Sequence, residues 1–443
     1  DGAAMPGPTV AELDRASWLH PFSSLSEQAA RDPLVIREAH GTRVRDAAGR
    51  EYLDAMAGLW CVNAGFGRRE IADAMAEQAG RLAYYHGFAG AVNEPAVQLA
   101  AKLLELAPVP MARVFFASSG SEANDTQIKL IWHYNNLRGK PAKKKLLARR
   151  RGYHGSTVAA ASLTGLPYVH AGFDLPLAGF AHVSPAHWPS EATSGESEDA
   201  YAERLARELE ETIVREGPDT VAAFFAEPVM GAGGVLVPPA SYFARIQAVL
   251  RRHDVLLVAD EVICGFGRTG RWFGSQRFGI TPDLVTVAKG LTSGYAPLSA
   301  CLVSEPIVTV LRAGSGEGGA FNHGYTYSGH PVAAAAALAN LAIFEREGLV
   351  ERAERIGALL QRRLRETCAG HPKVRDVRGV GMIAAVEPRA ADDAKRLQAL
   401  LFADGVLTRA VGGAVAMSPP LILDEAEVEE LVGALYRGLE KLA

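Results

Sequence analysis

Long apolar runs, paired cysteines and an excess of either charge are missing from this 443-residue sequence. No stretch of about 18 uninterrupted apolar residues occurs, so no membrane-spanning segment is expected. Cys61, Cys264, Cys301 and Cys368 form no C-x-x-C pair and no cluster with histidines. That pattern excludes a disulfide framework and a structural zinc site, and no metal is expected. A formal charge of −4 is the wrong sign for a dedicated nucleic-acid binder. With 48% apolar and 22% charged residues, extended disorder is excluded as well. No repeat with a period of about 20 to 50 residues is visible, which removes solenoids and propellers. The opening Asp1-Gly-Ala-Ala-Met-Pro-Gly-Pro8 lacks the basic and apolar regions of a secretory signal. The expectation is therefore a cytoplasmic protein whose natural start is Met5, with residues 1–4 added before it.

What the chain does contain is alternation. Short apolar runs at Arg113 to Phe116, Val221 to Ala226, Val255 to Ala259, Leu284 to Ala288 and Ser299 to Val303 read as strands. Several are apolar on both faces, as strands covered by helices on both sides must be. Helical stretches such as Glu122 to Leu137 and Tyr242 to Arg252 lie between them. The pattern predicts an α/β fold with a mostly parallel sheet. Ser184 to Asp199, rich in Pro, Ser and Glu, is expected to be a surface loop. Toward the end, Asp424 with Glu427 forms a capping-box pattern ahead of an apolar stripe running from Val428 to Leu442. This predicts three parts. Residues 1–60 would join a small α+β domain at 331–443, and residues 61–330 would form the large domain. The basic residues Lys143 to Lys145 and Arg149 to Arg151 read as a solvated strand edge.

Four local constellations carry chemistry. The first, Ala117-Ser-Ser-Gly-Ser-Glu-Ala-Asn124, is a small-residue turn between strand and helix. It suits a phosphate at the helix N-terminus, with Ser119 and Ser121 as donors and Gly120 for close approach. An ordinary helix cap explains the same residues. In the second, the apolar run from Val255 ends on Asp260, where open α/β sheets place ligands. A carboxylate there calls for a cation: a protonated ring nitrogen, a metal, or an arginine such as Arg268 or Arg271. The third ends on Lys289-Gly290, and only ten of the 46 basic residues are lysine. Desolvation at a strand end frees a lysine lone pair for imine formation; a snorkelling structural lysine is the alternative. The fourth, Arg151-Gly-Tyr-His-Gly155, offers Tyr153 for stacking on a planar ring, while His154 is a ligand or a satisfied loop residue.

A phosphate turn, a stacking aromatic, a carboxylate for a ring nitrogen and an imine-forming lysine together are what pyridoxal phosphate requires. The sequence resembles the class III (ω-type) aminotransferases, of the amine and ω-amino acid:pyruvate subgroup, over nearly its whole length. The strings that carry the resemblance are Ser118 to Asn124, Tyr153-His-Gly155, Asp260-Glu-Val-Ile-Cys-Gly-Phe-Gly-Arg-Thr-Gly270, Ala288-Lys-Gly290 and Tyr325-Thr-Tyr-Ser-Gly-His-Pro331. It implies a fold-type I pyridoxal-phosphate transferase, with a mostly parallel seven-stranded sheet and a smaller α+β domain. By that resemblance Lys289 binds the cofactor aldehyde and then shuttles the substrate proton. Asp260 holds the ring nitrogen protonated, and Tyr153 and Val262 face the two sides of the ring. Gly120 and Ser121 match phosphate-binding positions. Thr326 matches a threonine reaching the phosphate from a neighbouring subunit, which implies a homodimer or a dimer of dimers. Glu227 matches an acid close to the cofactor. Arg409 aligns with a mobile arginine that pairs with substrate carboxylates, and Phe22, Leu59, Trp60 and Phe88 fall where the subgroup lines its substrate cleft.

The activity so implied is a ping-pong transfer of an amino group from a small amine or ω-amino acid to a keto acid, pyruvate foremost. Many 2-oxoglutarate users carry Gln where this chain has Ile263. A 2-oxoglutarate-dependent ω-transaminase and an aminomutase of the glutamate-semialdehyde kind are the nearest rivals. From other classes, a non-catalytic protein on this fold is disfavoured by intact Tyr153, Asp260 and Lys289. A nicotinamide enzyme, prompted by Gly231-Ala-Gly-Gly234, is disfavoured because those glycines open no helix after a strand.

Overall fold

The computed structural model describes residues 7–316, 319–390 and 392–442. The expectation that Met5 is the natural start lies outside them. Seven strands form the central sheet: β1 Arg113–Ala117, β2 Lys145–Arg149, β3 Phe180–Val183, β4 Val221–Ala226, β5 Leu256–Asp260, β6 Leu284–Val287 and β7 Ser299–Val303. Their order is β1-β7-β6-β5-β4-β2-β3. Only β7 runs against the others, pairing antiparallel with both β1 and β6. The α/β fold and its mostly parallel seven-stranded sheet are thus as the sequence predicts, with boundaries shifted by a residue or so. All residues of β4, β5, β6 and β7 are buried.

Strand alternation decides which helix meets which side chain. Leu147, Phe224, Ala226, Leu257 and Ala259 pack with helices Glu198–Glu216 and Tyr242–Arg252. Leu146, Ala223, Phe225, Leu256 and Val258 pack instead with helix Gly120–Leu137. Asp260 has the parity of Leu256 and Val258, so its side chain falls on the side of the Gly120–Leu137 helix. That placement follows from register alone.

Two further four-stranded sheets flank this body. Ile36–His40, Arg43–Asp46 and Glu51–Asp54 form an antiparallel meander, and Val406–Leu407 adds to its edge in parallel with Glu51–Asp54. The second sheet, ordered Val374–Val380, Ile383–Pro388, Ala414–Met417, Arg409–Val411, is antiparallel throughout. Helices Leu349–Cys368, Asp393–Ala403 and Glu425–Lys441 complete the α+β part. The predicted capping box closes on the last of these, with Asp424 accepting from the Glu427 N–H. Arg268, fully buried, joins the parts by donating to Asn63 Oδ1 at 2.6 Å and to the carbonyls of Met382 and Pro419. Desolvation pushes its guanidinium down to about 10.

Two expectations need correction. The basic residues at 143–151 do not form one solvated edge, because β2 lies between β4 and β3; of them only Arg150 is exposed. Lys143 is buried, its ammonium donating to the carbonyls of His253 and Pro218, and Arg149 is buried with its guanidinium over the rings of Tyr242 and Phe243. Long basic side chains can reach distant carbonyls and ring faces, so charge runs do not by themselves report exposure. The stretch at 184–199 is mostly loop but carries a short helix, Trp188–Glu191. No helix among the described residues is long and apolar enough to cross a membrane.

Gly357, inside helix Leu349–Cys368, is where that helix crosses the turn after Val374–Val380: a methyl group there would lie 2.4 Å from the carbonyl carbon of Gly381. Gly80, in helix Arg69–Leu82, has open space instead. Gly80→Ala is expected to raise the free energy of urea unfolding by about 0.5–1 kcal/mol. Gly357→Ala, the same substitution in the same kind of element, is expected to lower it by about 1–3 kcal/mol through overpacking.

Candidate active site

β5 ends on Asp260, and the helix that packs over it supplies the first partner. Asn124 Nδ2 donates to Asp260 Oδ2 at 2.9 Å and to the His154 carbonyl at 2.7 Å. The amide is oriented from behind, because Thr286 Oγ1 donates to Asn124 Oδ1 at 2.8 Å. His154 Nδ1 lies 2.8 Å from the same carboxylate oxygen, and the Val262 N–H donates to Oδ1 at 3.1 Å. Asp260 is 3% exposed. Neither arginine considered from sequence meets it: Arg268 is spent as described above and Arg271 pairs with Glu354 at 3.6 Å. His154 Nε2 is buried and has no hydrogen-bond partner.

Lys289 follows the end of β6, one strand over. It begins a short 3-10 turn and takes a left-handed backbone, φ +45°. Such a conformation costs a non-glycine residue energy that the surroundings must supply. Lys289 itself makes the turn, and Gly290 answers a packing need. A methyl group there would sit 2.6 Å from Asn63 Nδ2. Burial lowers the pKa of the Lys289 ammonium, and the Asp260 carboxylate opposes that shift.

A cavity of about 600 Å³ opens over both residues. Its floor includes Gly120 and Ser121, at the start of helix Gly120–Leu137, where first-turn N–H groups lack intrahelical acceptors. Ser121 Oγ accepts from the Ser156 N–H at 2.9 Å. Ser119 lies outside the lining and serves as helix cap, its Oγ accepting from the Glu122 N–H at 3.2 Å. A methyl group on Gly120 would come within 3.2 Å of Val262, so glycine keeps the space between helix and valine open. Tyr153 and Val262 both line the cavity, as do His154 and Glu227. Glu227 is 3% exposed; its two oxygens accept from the Tyr153 N–H at 2.9 Å and the Gly231 N–H at 3.0 Å, and burial pushes its carboxyl up.

The outer walls come from distant segments. Phe22, Leu59 and Trp60 line it, as do Arg409, Ala410, Val411 and Gly412. Trp60 is 3% exposed and left-handed at φ +64°. Its turn is bracketed by Asp54, which accepts from the N–H groups of Met56 at 2.9 Å and Gly58 at 2.6 Å. Ile263 also lines the cavity.

Besides Ser119, two sequence candidates are absent from it. Phe88 is 47% exposed, and Thr326 is also exposed, its carbonyl accepting from Tyr84 Oη at 2.6 Å. Both lie on a separate aromatic surface, where Tyr84 meets Tyr327 edge to face. The segment at 84–90 packs on 324–330 there, with the Phe88 ring against Gly324. Within one chain, then, Phe88 lines neither core nor cleft. Conversely, Tyr168 and Lys395 line the cavity and were not singled out from sequence. Tyr168 meets Phe22 edge to face at 6.4 Å between centroids. Neither carries a local signal, since one sits in a short helix and the other among surface charges.

These residues match the needs of pyridoxal phosphate. Among the described residues the buried Asp260 carboxylate has no arginine or lysine ion pair, an amine lies nearby, and a helix N-terminus, an aromatic face and an apolar face surround one cavity. The amine itself is directly testable. Only its neutral fraction attacks an aldehyde, so in the protein without cofactor Lys289 is expected to react with an added aromatic aldehyde at lower pH than surface lysines. Asp260→Asn, which removes the opposing carboxylate, is expected to shift that midpoint lower still. Borohydride trapping at a series of pH values, followed by peptide mapping, measures both.

The family model for class III aminotransferases matches residues 25–439. The diaminobutyrate–2-oxoglutarate transaminase of Halomonas elongata is 46% identical over 97% of this chain and 96% of its own. The putrescine–pyruvate aminotransferase of Pseudomonas aeruginosa is 43% identical over 97% and 96%. Among solved structures, the omega transaminase from Pseudomonas jessenii in complex with PMP superimposes with a TM-score of 0.96 at 48% identity, covering 98% of both chains. With its match across nearly the whole length, this chain belongs to the class III aminotransferases, a family of pyridoxal-phosphate enzymes.

Proposed function

We propose that this chain is an ω-transaminase that moves an amino group from an amine or ω-amino acid to pyruvate in two half-reactions. The observation that carries it is the convergence of Lys289, Asp260 and Arg409 on one cavity. Bound pyridoxal phosphate supplies an electron-poor ring that absorbs the charge left when a substrate carbon loses its proton. The chain's own residues do the rest. Asp260, held by Asn124 and His154, keeps a proton on the ring nitrogen. Tyr153 and Val262 confine the ring from its two faces. Gly120, Ser121 and the helix N-terminus hold the phosphate, and Ser119 caps that helix. Glu227 fixes the Tyr153 backbone. Lys289 Nζ, freed by the incoming amine, takes the proton from the substrate carbon and returns it to the cofactor side.

Arg409 recognises the keto acid. A guanidinium pairs bidentately with a carboxylate, and no acid pairs with it among the described residues. Phe22, Leu59, Trp60 and Ile263 give the cleft an apolar portion, which suits a short keto acid and an uncharged amine. Thr326 and Phe88 act from the aromatic surface, reaching the cleft of a second copy in a homodimer. A reducing cytoplasm suits the four free thiols.

One observation favours 2-oxoglutarate as a second acceptor. Lys395, at the start of helix Asp393–Ala403, puts another cation on the cavity rim, and it too has no ion pair among the described residues. A dicarboxylic acid would meet two positive charges.

The test is visible absorbance of the protein reconstituted with pyridoxal phosphate. An amine donor alone is expected to bleach the yellow band, and pyruvate to restore it. Restoration by 2-oxoglutarate alone would move the assignment to the second acceptor; no band at all would remove the transaminase assignment. In steady state, Arg409→Ala is expected to raise KM for keto acids by about 10- to 100-fold, the range of a lost charge-assisted pair, with apolar amines little changed. Equal losses on both would count against carboxylate recognition by Arg409.

A further inference from the structure

Arg409 sits on the three-residue strand Arg409–Val411, the outermost of its sheet. It pairs on one side only, with Ala414–Met417, through a turn in which Gly412 and Gly413 are both left-handed, φ +56° and +84°. A short edge hairpin has little of its own to fix where its tip lies. Gln398 holds its base, donating to the Thr408 carbonyl at 3.0 Å and accepting from the Ala410 N–H at 3.2 Å, and Arg151 holds its tip. Its Nη2 donates to the Gly412 carbonyl at 3.3 Å and to the Gly233 carbonyl at 2.8 Å. Its Nη1 reaches Ser190 Oγ at 3.4 Å and lies 3.9 Å from Glu191 Oε1.

The three backbones meet so closely that no side chain fits between them. A methyl group on Gly412 would lie 2.2 Å from the Gly233 carbonyl oxygen, and one on Gly233 would lie 2.3 Å from the Arg151 carbonyl oxygen. Gly233 and Gly234 are therefore a docking surface for the hairpin, while Gly231 packs on Ile263. That loop is itself secured independently. Glu227 holds the Gly231 N–H, and Arg378 Nε donates to Gly234 at 2.9 Å and Val235 at 3.2 Å. Removing Arg151 frees the hairpin tip while leaving the loop anchored.

Arg151 also lies two residues before Tyr153, whose N–H is held by the same Glu227. One guanidinium thus ties the wall that carries Tyr153 to the wall that carries Arg409, and Ala232, Val411 and Gly412 between them line the cavity. We propose that Arg151 is a positioning residue for acceptor recognition, holding the Arg409 hairpin at the distance a keto-acid carboxylate requires. This rests on Arg409 pairing with that carboxylate. Bidentate pairing tolerates little displacement, so a loosened hairpin weakens carboxylate binding and leaves uncharged substrates alone.

The experiment compares pyruvate with propanal, an uncharged acceptor of the same length, in the reconstituted holoenzyme. Arg151→Met is expected to raise KM for pyruvate about tenfold. Its kcat, its KM for propanal and for an apolar amine, and its absorbance band are expected to stay within about twofold of the parent. Arg151→Lys, which keeps a donor to one carbonyl, is expected to recover part of the loss. Gly412→Ala disturbs the same contact from the other side and should reproduce the pyruvate-selective defect, so a poorly folding Arg151→Met does not end the test. A uniform change across all substrates, or none, in the variants that fold overturns the proposal. Arg409→Ala is measured alongside. If it separates pyruvate from propanal and the Arg151 and Gly412 variants do not, this inference alone fails. If Arg409→Ala does not separate them, carboxylate recognition by Arg409 fails and this inference falls with it.

Discussion

A carboxylate at the end of a fully buried strand is the constraint around which the rest is arranged. Asp260 sits where water is excluded, and a charge there is tolerated only with partners on every side. The chain supplies them from three elements: Asn124 from the covering helix, His154 from the loop after β2, and the Val262 N–H from its own chain. Each partner also places something else. Asn124 is on the helix that opens with Gly120 and Ser121, His154 follows Tyr153, and Val262 is itself a wall of the cavity. Satisfying one buried charge therefore brings together most of the residues proposed to hold the cofactor.

Lys289 belongs to the same arrangement. Its left-handed backbone lifts it out of the line of β6, and the close packing of Gly290 on Asn63 keeps it there. Desolvation favours the neutral amine and the nearby carboxylate favours the ammonium. The balance suits the proposed role of Lys289 as nucleophile and proton carrier in turn. The substrate side is built differently. It draws on segments far apart in sequence, around Phe22, Trp60, Tyr168 and Arg409, joined by backbone contacts between glycines and by buried guanidinium groups.

How much of this was legible in the sequence follows the same division. β4, β5 and β6 announce themselves as two-sided apolar runs, and Asp260 and Lys289 stand out because charged residues end them. The helix at Gly120 is legible from its small-residue turn, although Ser119 is occupied as a cap. What long-range contacts decide was not legible. Arg149 and Lys143 look like surface residues because nothing nearby in sequence shows the carbonyls and rings they reach. Gly290 looks like a turn glycine, since the approach of Asn63 comes from more than two hundred positions away. Tyr168 and Lys395 carry no pattern at all, and Phe88 and Thr326 lie together on a surface that a single chain leaves open.

The most direct measurement is a crystal structure of the protein grown with pyridoxal phosphate. The account predicts continuous density from Lys289 Nζ to the cofactor, the ring nitrogen within hydrogen-bonding distance of Asp260, and the ring between Tyr153 and Val262. A cofactor bound elsewhere, or bound here with its ring nitrogen turned away from Asp260, would contradict it.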